Sequence, residues 1–243
     1  MRILIVNDDG IFAPGIIALA NWAKQYGDVT LVAPKVEQSG KSHSIDIVHS
    51  FEIIPVEHPT GVRAYQVDSS PADCTRYAYK GLHETFDLVL SGINRGYNLG
   101  EDMMYSGTIG AATEAASMGA NALALSTDFT SLEEAEKALD EVYQFVCENN
   151  LFSYHNLYNI NIPPKHKGIL ITRQGGPYYK DEFVETAPSM YYQEGSSVYV
   201  KTDDMTLDTN ATLGGYISIS PLTIKRTELS VFDKLRAMQI DKA

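Results

Sequence analysis

Four apolar residues, Ile3-Leu4-Ile5-Val6, follow one another near the start of the chain with no polar residue between them. Such a run predicts a strand covered on both faces, as in a parallel sheet. Asn7-Asp8-Asp9-Gly10 ends it. Pro14-Gly15 then opens a helix over 14–26, with Ile16, Ile17, Leu19, Ala20 and Ala23 on its inner side. Val29 to Ala33 reads as a second strand, stopped by Pro34. Strands near 45–57 and 63–68 are joined through Pro59-Thr60-Gly61. Ser70-Pro71-Ala72-Asp73 has the chemistry of a helix start. Further buried strands are expected at Asp87–Ser91 and Ala122–Ser126, and helices over 107–116 and 131–149. This alternation predicts an α/β fold with a mainly parallel sheet flanked by helices on both faces.

The pattern changes after about residue 150. Asn159-Ile160-Asn161-Ile162-Pro163-Pro164 reads as a strand end. Residues 168–202 read as short β pieces dense in tyrosine (Tyr178, Tyr179, Tyr191, Tyr192, Tyr199). Tyr216 to Leu222 alternates like a half-exposed strand. The expected division is a core over 1–150, with 151–243 completing it and adding a β-rich arm.

Composition narrows the function classes. A chain of 243 residues can bury a large core, so neither disulfides nor a structural metal is needed to fold it. Cys74 and Cys147 are far apart and read as reduced core thiols. There is no run of 18 apolar residues and no signal-peptide pattern, so no membrane span is expected and the expected home is cytoplasmic. The formal charge of −12 argues against a duplex nucleic-acid binder. A small anionic substrate remains open, given a local cation or aimed N–H groups.

Three segments bring polar residues to strand ends, where ligands bind in open α/β sheets. They carry Asp8 and Asp9, Ser39, and Asn94. Two carboxylates, a hydroxyl and an amide form an all-oxygen set suited to Mg²⁺ or Mn²⁺ rather than zinc. The alternative is that Asp9-Gly10 is a plain turn. Tyr105-Ser106-Gly107-Thr108 precedes a helix rich in small residues. Its free N–H groups and hydroxyls suit a phosphate, or Ser106 is an ordinary cap. His43 is a candidate proton donor to a leaving alkoxide or a loop histidine, and Lys41 a charge-offsetting or a solvated lysine. The tyrosines suit base stacking or cross-strand packing. Neither a Walker A loop nor GxGxxG after the first strand is present.

Taken in order, Asn7-Asp8-Asp9-Gly10 with Pro14-Gly15, Ala33-Pro34 with Gln38-Ser39-Gly40, Ser91 to Gly100, and Tyr105-Ser106-Gly107-Thr108 resemble the SurE (survival protein E) family. Gly214 and Tyr216 to Leu222 resemble its C-terminal strand. The resemblance implies a Rossmann-like fold and a metal-dependent phosphatase acting on nucleoside 5′-monophosphates, with 3′-nucleotides and short polyphosphate as open further substrates. It implies one divalent ion per subunit on Asp8, Asp9, Ser39 and Asn94, and phosphate contacts on Asn98, Ser106, Gly107 and Thr108. It also implies a homodimer or homotetramer built with the C-terminal extension. Two departures stand out: Asp46, where relatives usually carry threonine, and Gly176-Pro177, where relatives are often more basic or polar. A non-catalytic nucleotide sensor is the rival class. An aspartyl-phosphate route of the haloacid-dehalogenase kind would need Asp-x-Asp, and a glycosyltransferase would need a second domain.

Overall fold

The computed structural model describes residues 1–240. Nine strands form one sheet: β1 (Arg2–Val6), β2 (Asp28–Pro34), β3 (Ile53–Val56), β4 (Arg63–Val67), β5 (Leu88–Arg95), β6 (Asn121–Thr127), β7 (Leu157–Ile162), β8 (Ile169–Ile171) and β11 (Ile217–Pro221). Their spatial order is β3-β4-β2-β1-β5-β6-β7-β11-β8. From β4 to β7 every pair is parallel, while β3 and β11 enter antiparallel to β4 and β7. The chain winds outward from β1 in one direction, then returns to place β5 on its other side. The crevice beyond the carboxyl ends of β1 and β5 is therefore the switch point where such sheets bind ligands.

Alternation along each strand feeds two cores. Ile3 and Ile5 of β1, with Leu88 and Leu90 of β5, pack toward α1 (Pro14–Ala23) and α4 (Leu132–Glu148). Leu4, Val6 and Val89 face the other way, toward α2 (Pro71–Arg76) and α3 (Gly107–Ser117). Each fully buried aliphatic side chain contributes about 1.5–3 kcal/mol, so the two-sided burial of β1 fixes the strand that carries the two aspartates. Ser70 caps α2 by accepting the Asp73 N–H, and Pro71 occupies the first turn, as the sequence indicates. In α3 the alanines Ala111, Ala112 and Ala115 let the helix lie close on the sheet.

Four expectations are corrected. The strand read over 45–57 is confined to Ile53–Val56. The Asp46 carboxylate accepts the N–H groups of Val48 and His49, both at 2.9 Å, and turns the backbone. The Tyr216–Leu222 stretch is not half exposed. Strand β11 lies between β7 and β8, and its serines are matched to hydroxyls, Ser218 with Thr212 and Ser220 with Thr172. Cys74 is buried as expected, but Cys147 is exposed near the end of α4. Helix α1 stops at Ala23 rather than 26.

The 168–202 stretch resolves into β8 and an antiparallel hairpin, β9 (Tyr179–Ala187) with β10 (Met190–Ser197), whose residues are all exposed. Tyr178 packs on Tyr179 and Tyr199, while Tyr191 and Tyr192 face solvent. Two helices were not foreseen: α5 (Asp208–Leu213), which precedes β11, and α6 (Leu229–Ile240), which carries exposed Leu229, Phe232 and Leu235. Among the described residues no helix is long and apolar enough to cross a membrane.

Candidate active site

Asn7 follows β1 and closes a turn with its own side chain. Its amide donates to the Gly10 carbonyl at 2.8 Å, and its carbonyl oxygen accepts the Gly10 N–H at 3.2 Å. Gly10 has φ +108°, a conformation that residues with a Cβ avoid. The turn uses neither aspartate carboxylate. The two sequence alternatives, a turn and an acid site, are thus parts of one structure. Backbone bonds then staple the loop after β2 to this turn. The Ile11 N–H donates to the Pro34 carbonyl at 2.8 Å and the Gln38 N–H to that of Asp8 at 2.7 Å.

The result is a polar cavity of about 250 Å³ whose lining includes Asp8, Asp9, Ser39, Asn94, Asn98 and Ser106. Asp8 is buried, and its Oδ1 accepts from the Thr108 hydroxyl at 2.5 Å. Gly107 permits that approach, because a Cβ there would lie 2.9 Å from the Asp8 Cβ. Burial pushes the Asp8 pKa up to about 6; the Thr108 bond opposes this and the neighbouring Asp9 charge adds to it. Burial also raises Asp9, against the Arg95 N–H that reaches its Oδ2 at 3.3 Å. Ser39 donates to Glu37 at 2.7 Å, which leaves the hydroxyl lone pairs for a ligand. Asn94 sits at the end of β5, beyond a bulge. Its Nδ2 donates to Gly96 at 2.7 Å, and its Oδ1 has no hydrogen-bond partner among the described residues.

The phosphate candidates are held differently. Ser106 caps α3 by accepting the Ile109 N–H at 3.1 Å and keeps its own hydroxyl proton to donate. Thr108 is fully buried with its hydroxyl spent on Asp8. Asn98 is fixed on all sides. Its N–H goes to Asn161 at 2.8 Å, its Nδ2 to Ser126 at 2.8 Å, and its carbonyl accepts from Asn159 and Asn161. One amide hydrogen of Asn98 remains. His43 does not line this cavity. Its Nε2 lies 2.6 Å from Glu114, whose other oxygen accepts from Arg76 at 2.8 Å, and it borders a neighbouring cavity together with Ser106. Burial disfavours the Glu114 charge, yet the bonds from His43 and Arg76 outweigh it and hold the carboxyl below its ordinary range. Lys41 is exposed and lines none of these cavities.

Sequence reasoning missed Glu37, Asp102, Phe129 and the asparagines beneath Asn98. Asn159 and Asn161 carried a signal, since they interrupt an apolar strand at a spacing of two and so share one face.

Among the cavity's lining residues are four carboxylates, Asp8, Asp9, Glu37 and Asp102, against one guanidinium, Arg95. A phosphate dianion would be repelled from that surface. One divalent cation on Asp8, Asp9, Ser39 and Asn94 would cancel the charge of the two aspartates and give the phosphate a positive partner, and hard oxygen donors are the right chemistry for it. Among the described residues no three His, Cys, Asp or Glu side chains cluster for a metal, so neutral oxygens would have to complete the set.

The raised Asp8 pKa fixes a pH dependence. With chelator present the folded state favours the protonated carboxyl, a stabilisation complete below pH 3.8 and lost as pH rises through about 6. Asp8→Asn should therefore gain on the unsubstituted chain by on the order of 1 kcal/mol between pH 5 and pH 8. Urea unfolding of both proteins in EDTA checks this, and parallel pH profiles would contradict it.

The family model described as survival protein SurE matches residues 3–181. The 5′-nucleotidase SurE of Petrotoga mobilis is 36% identical over 252 residues, covering 98% of each chain. That of Desulforudis audaxviator is 37% identical over 253 residues, covering 99% of this chain and 98% of the relative. The crystal structure of the SurE protein from Aquifex aeolicus superposes with a TM-score of 0.81 at 31% identity, covering 98% of this chain and all of that one. With its switch-point cavity and a match along nearly its whole length, the chain belongs to the SurE family.

Proposed function

We propose that this protein is a divalent-metal-dependent 5′-nucleotidase, hydrolysing nucleoside 5′-monophosphates to nucleoside and phosphate. The observation that carries the reading is the meeting of Asp8, Asp9, Ser39 and Asn94 with Asn98 and Ser106 around one cavity. The relatives' name, 5′-nucleotidase, supports the substrate class.

Asp8, Asp9, Ser39 and Asn94 would hold one ion, Mg²⁺ or Mn²⁺. When bound, it draws in the phosphate and makes phosphorus more electrophilic. The Ser106 hydroxyl and the free amide hydrogen of Asn98 bind phosphate oxygens, and the start of α3 adds its dipole through Gly107 and Thr108. Asp9 orients the attacking water. Its carboxylate is engaged by one long backbone bond, so lone pairs remain to accept a water proton. Thr108 holds Asp8, and Asn159, Asn161 and Ser126 hold Asn98, so little reorganisation is needed when substrate enters.

His43 lies off the phosphate cavity with its Nε2 on Glu114, so it is assigned the positioning of the loop after β2 against α3, and the leaving 5′-oxygen takes its proton from solvent. The exposed apolar residues of β9–β10 and α6, among them Phe183, Tyr192, Phe232 and Leu235, are proposed as the contact between copies in a homodimer or homotetramer. The free thiols and a nucleotide substrate fit a cytoplasmic enzyme.

The test is phosphate release from nucleoside 5′- and 3′-monophosphates and short polyphosphate, with EDTA and with Mg²⁺ or Mn²⁺ restored. Chelation should stop release from 5′-monophosphates and metal should restore it. Asp9→Asn should lower kcat by about 10³-fold or more while the fold is kept. Release that survives EDTA, or near-normal turnover by Asp9→Asn, would overturn the reading. No release with any metal would favour the binding-protein class. His43→Asn should lower turnover of AMP and of p-nitrophenyl phosphate by similar factors, and a loss confined to AMP, whose alkoxide needs a proton, would make His43 the proton donor instead.

A further inference from the structure

The phosphate cavity continues into a second one. Asp9, Glu37, Arg95 and Phe129 line both, and the second, of about 350 Å³, extends over Pro14, Ile93 and Leu132. We infer that this second cavity holds the base of the nucleotide, stacked on Phe129, while the phosphate occupies the Asp8–Asp9 cavity. The inference rests on the 5′-nucleotidase reading and adds where the nucleoside lies.

Phe129 follows β6 and is 66% exposed. A Cβ built on Gly96 would lie 3.0 Å from its Cζ and 3.4 Å from both Cε atoms, so the ring rests against a bare backbone carbon. Gly96 belongs to the loop that runs from Asn94 to Asn98. The same loop therefore positions the cation set, the phosphate contact and the aromatic platform. A phenyl ring does nothing for a phosphate, but it offers a face to any nucleobase.

The remaining lining matches a nucleoside. Ile93, Pro14 and Leu132 supply apolar wall for a flat ring. The Arg95 guanidinium has no side-chain hydrogen bond among the described residues, so its donors are free for acceptors on ribose or base, while Glu37 can accept from ribose hydroxyls. The volume falls in the range of small-molecule sites. A rival cavity of about 600 Å³, bounded by His43, Met104 and Arg226, meets the phosphate cavity at Ser106 alone. The cavity beyond Phe129 shares four residues and a continuous wall. Larger stacking area on one open ring face makes purine nucleotides better substrates than pyrimidine ones.

Ribose 5-phosphate, which has the phosphate and sugar but no base, separates the two cavities. The ratio of kcat/KM for AMP over ribose 5-phosphate should fall about tenfold or more in Phe129→Ala, be restored in Phe129→Tyr, and hold in Met104→Ala. Equilibrium binding of adenosine, followed by calorimetry, should weaken in Phe129→Ala by a similar factor. A ratio insensitive to Phe129→Ala, or one that falls in Met104→Ala instead, would overturn the inference. If the unsubstituted protein hydrolyses neither compound, the nucleotidase reading fails, and adenosine binding then decides the base site alone. Binding that depends on Phe129 upholds it, and binding that is absent or indifferent to Phe129 overturns it.

Discussion

The closure of the turn after β1 by the Asn7 side chain is the constraint on which the site depends. Because Asn7 and Gly10 satisfy each other, Asp8 and Asp9 are left with carboxylates the turn does not need. Because Asp8 and Ile11 also bond the loop after β2, Glu37 and Ser39 arrive in the same place. The bulge in β5 delivers Asn94, and the glycine at the head of α3 lets Thr108 reach Asp8. Four separate pieces of chain converge because one strand, buried on both faces, cannot slip.

That convergence has an electrostatic cost. Burial holds the Asp8 and Asp9 pKa values upward, and the two aspartates with Glu37 and Asp102 in the wall repel an anionic substrate. A site built this way makes physical sense as one completed by a cation, which offsets the acids' repulsion and brings in the phosphate. The rigid support under Asn98 and Asp8 points in the same direction, since preorganised donors are useful where negative charge must be held in a transition state.

Much of this was legible in the sequence, for identifiable reasons. Ile3–Val6 and Leu88–Leu90 announce buried strands by unbroken apolarity, and strand ends in such sheets are where polar residues do chemistry. Ser70 and Ser106 are caps by residue type and position, and both cap. What stayed hidden depended on contacts distant in sequence. Asp46 turns its own backbone, which β propensity around it does not reveal. Strand β11 looked half exposed because Ser218 and Ser220 are polar, yet hydroxyl partners from other elements pay for their burial. Glu37 and Phe129 have no motif of their own and reach the cavity through the folding of their loops. His43 shows the reverse case: a residue chosen by chemistry that the fold ties to Glu114.

A divalent cation at the end of β1 is what the rest of the proposed chemistry requires. Calorimetric titration of Mn²⁺ into the chelator-stripped protein at pH 7.5, repeated with Asp8→Asn and Asp9→Asn, measures it without reference to turnover. One ion per chain is expected, with affinity lost in both variants. Absence of binding, or binding that survives both substitutions, would contradict it.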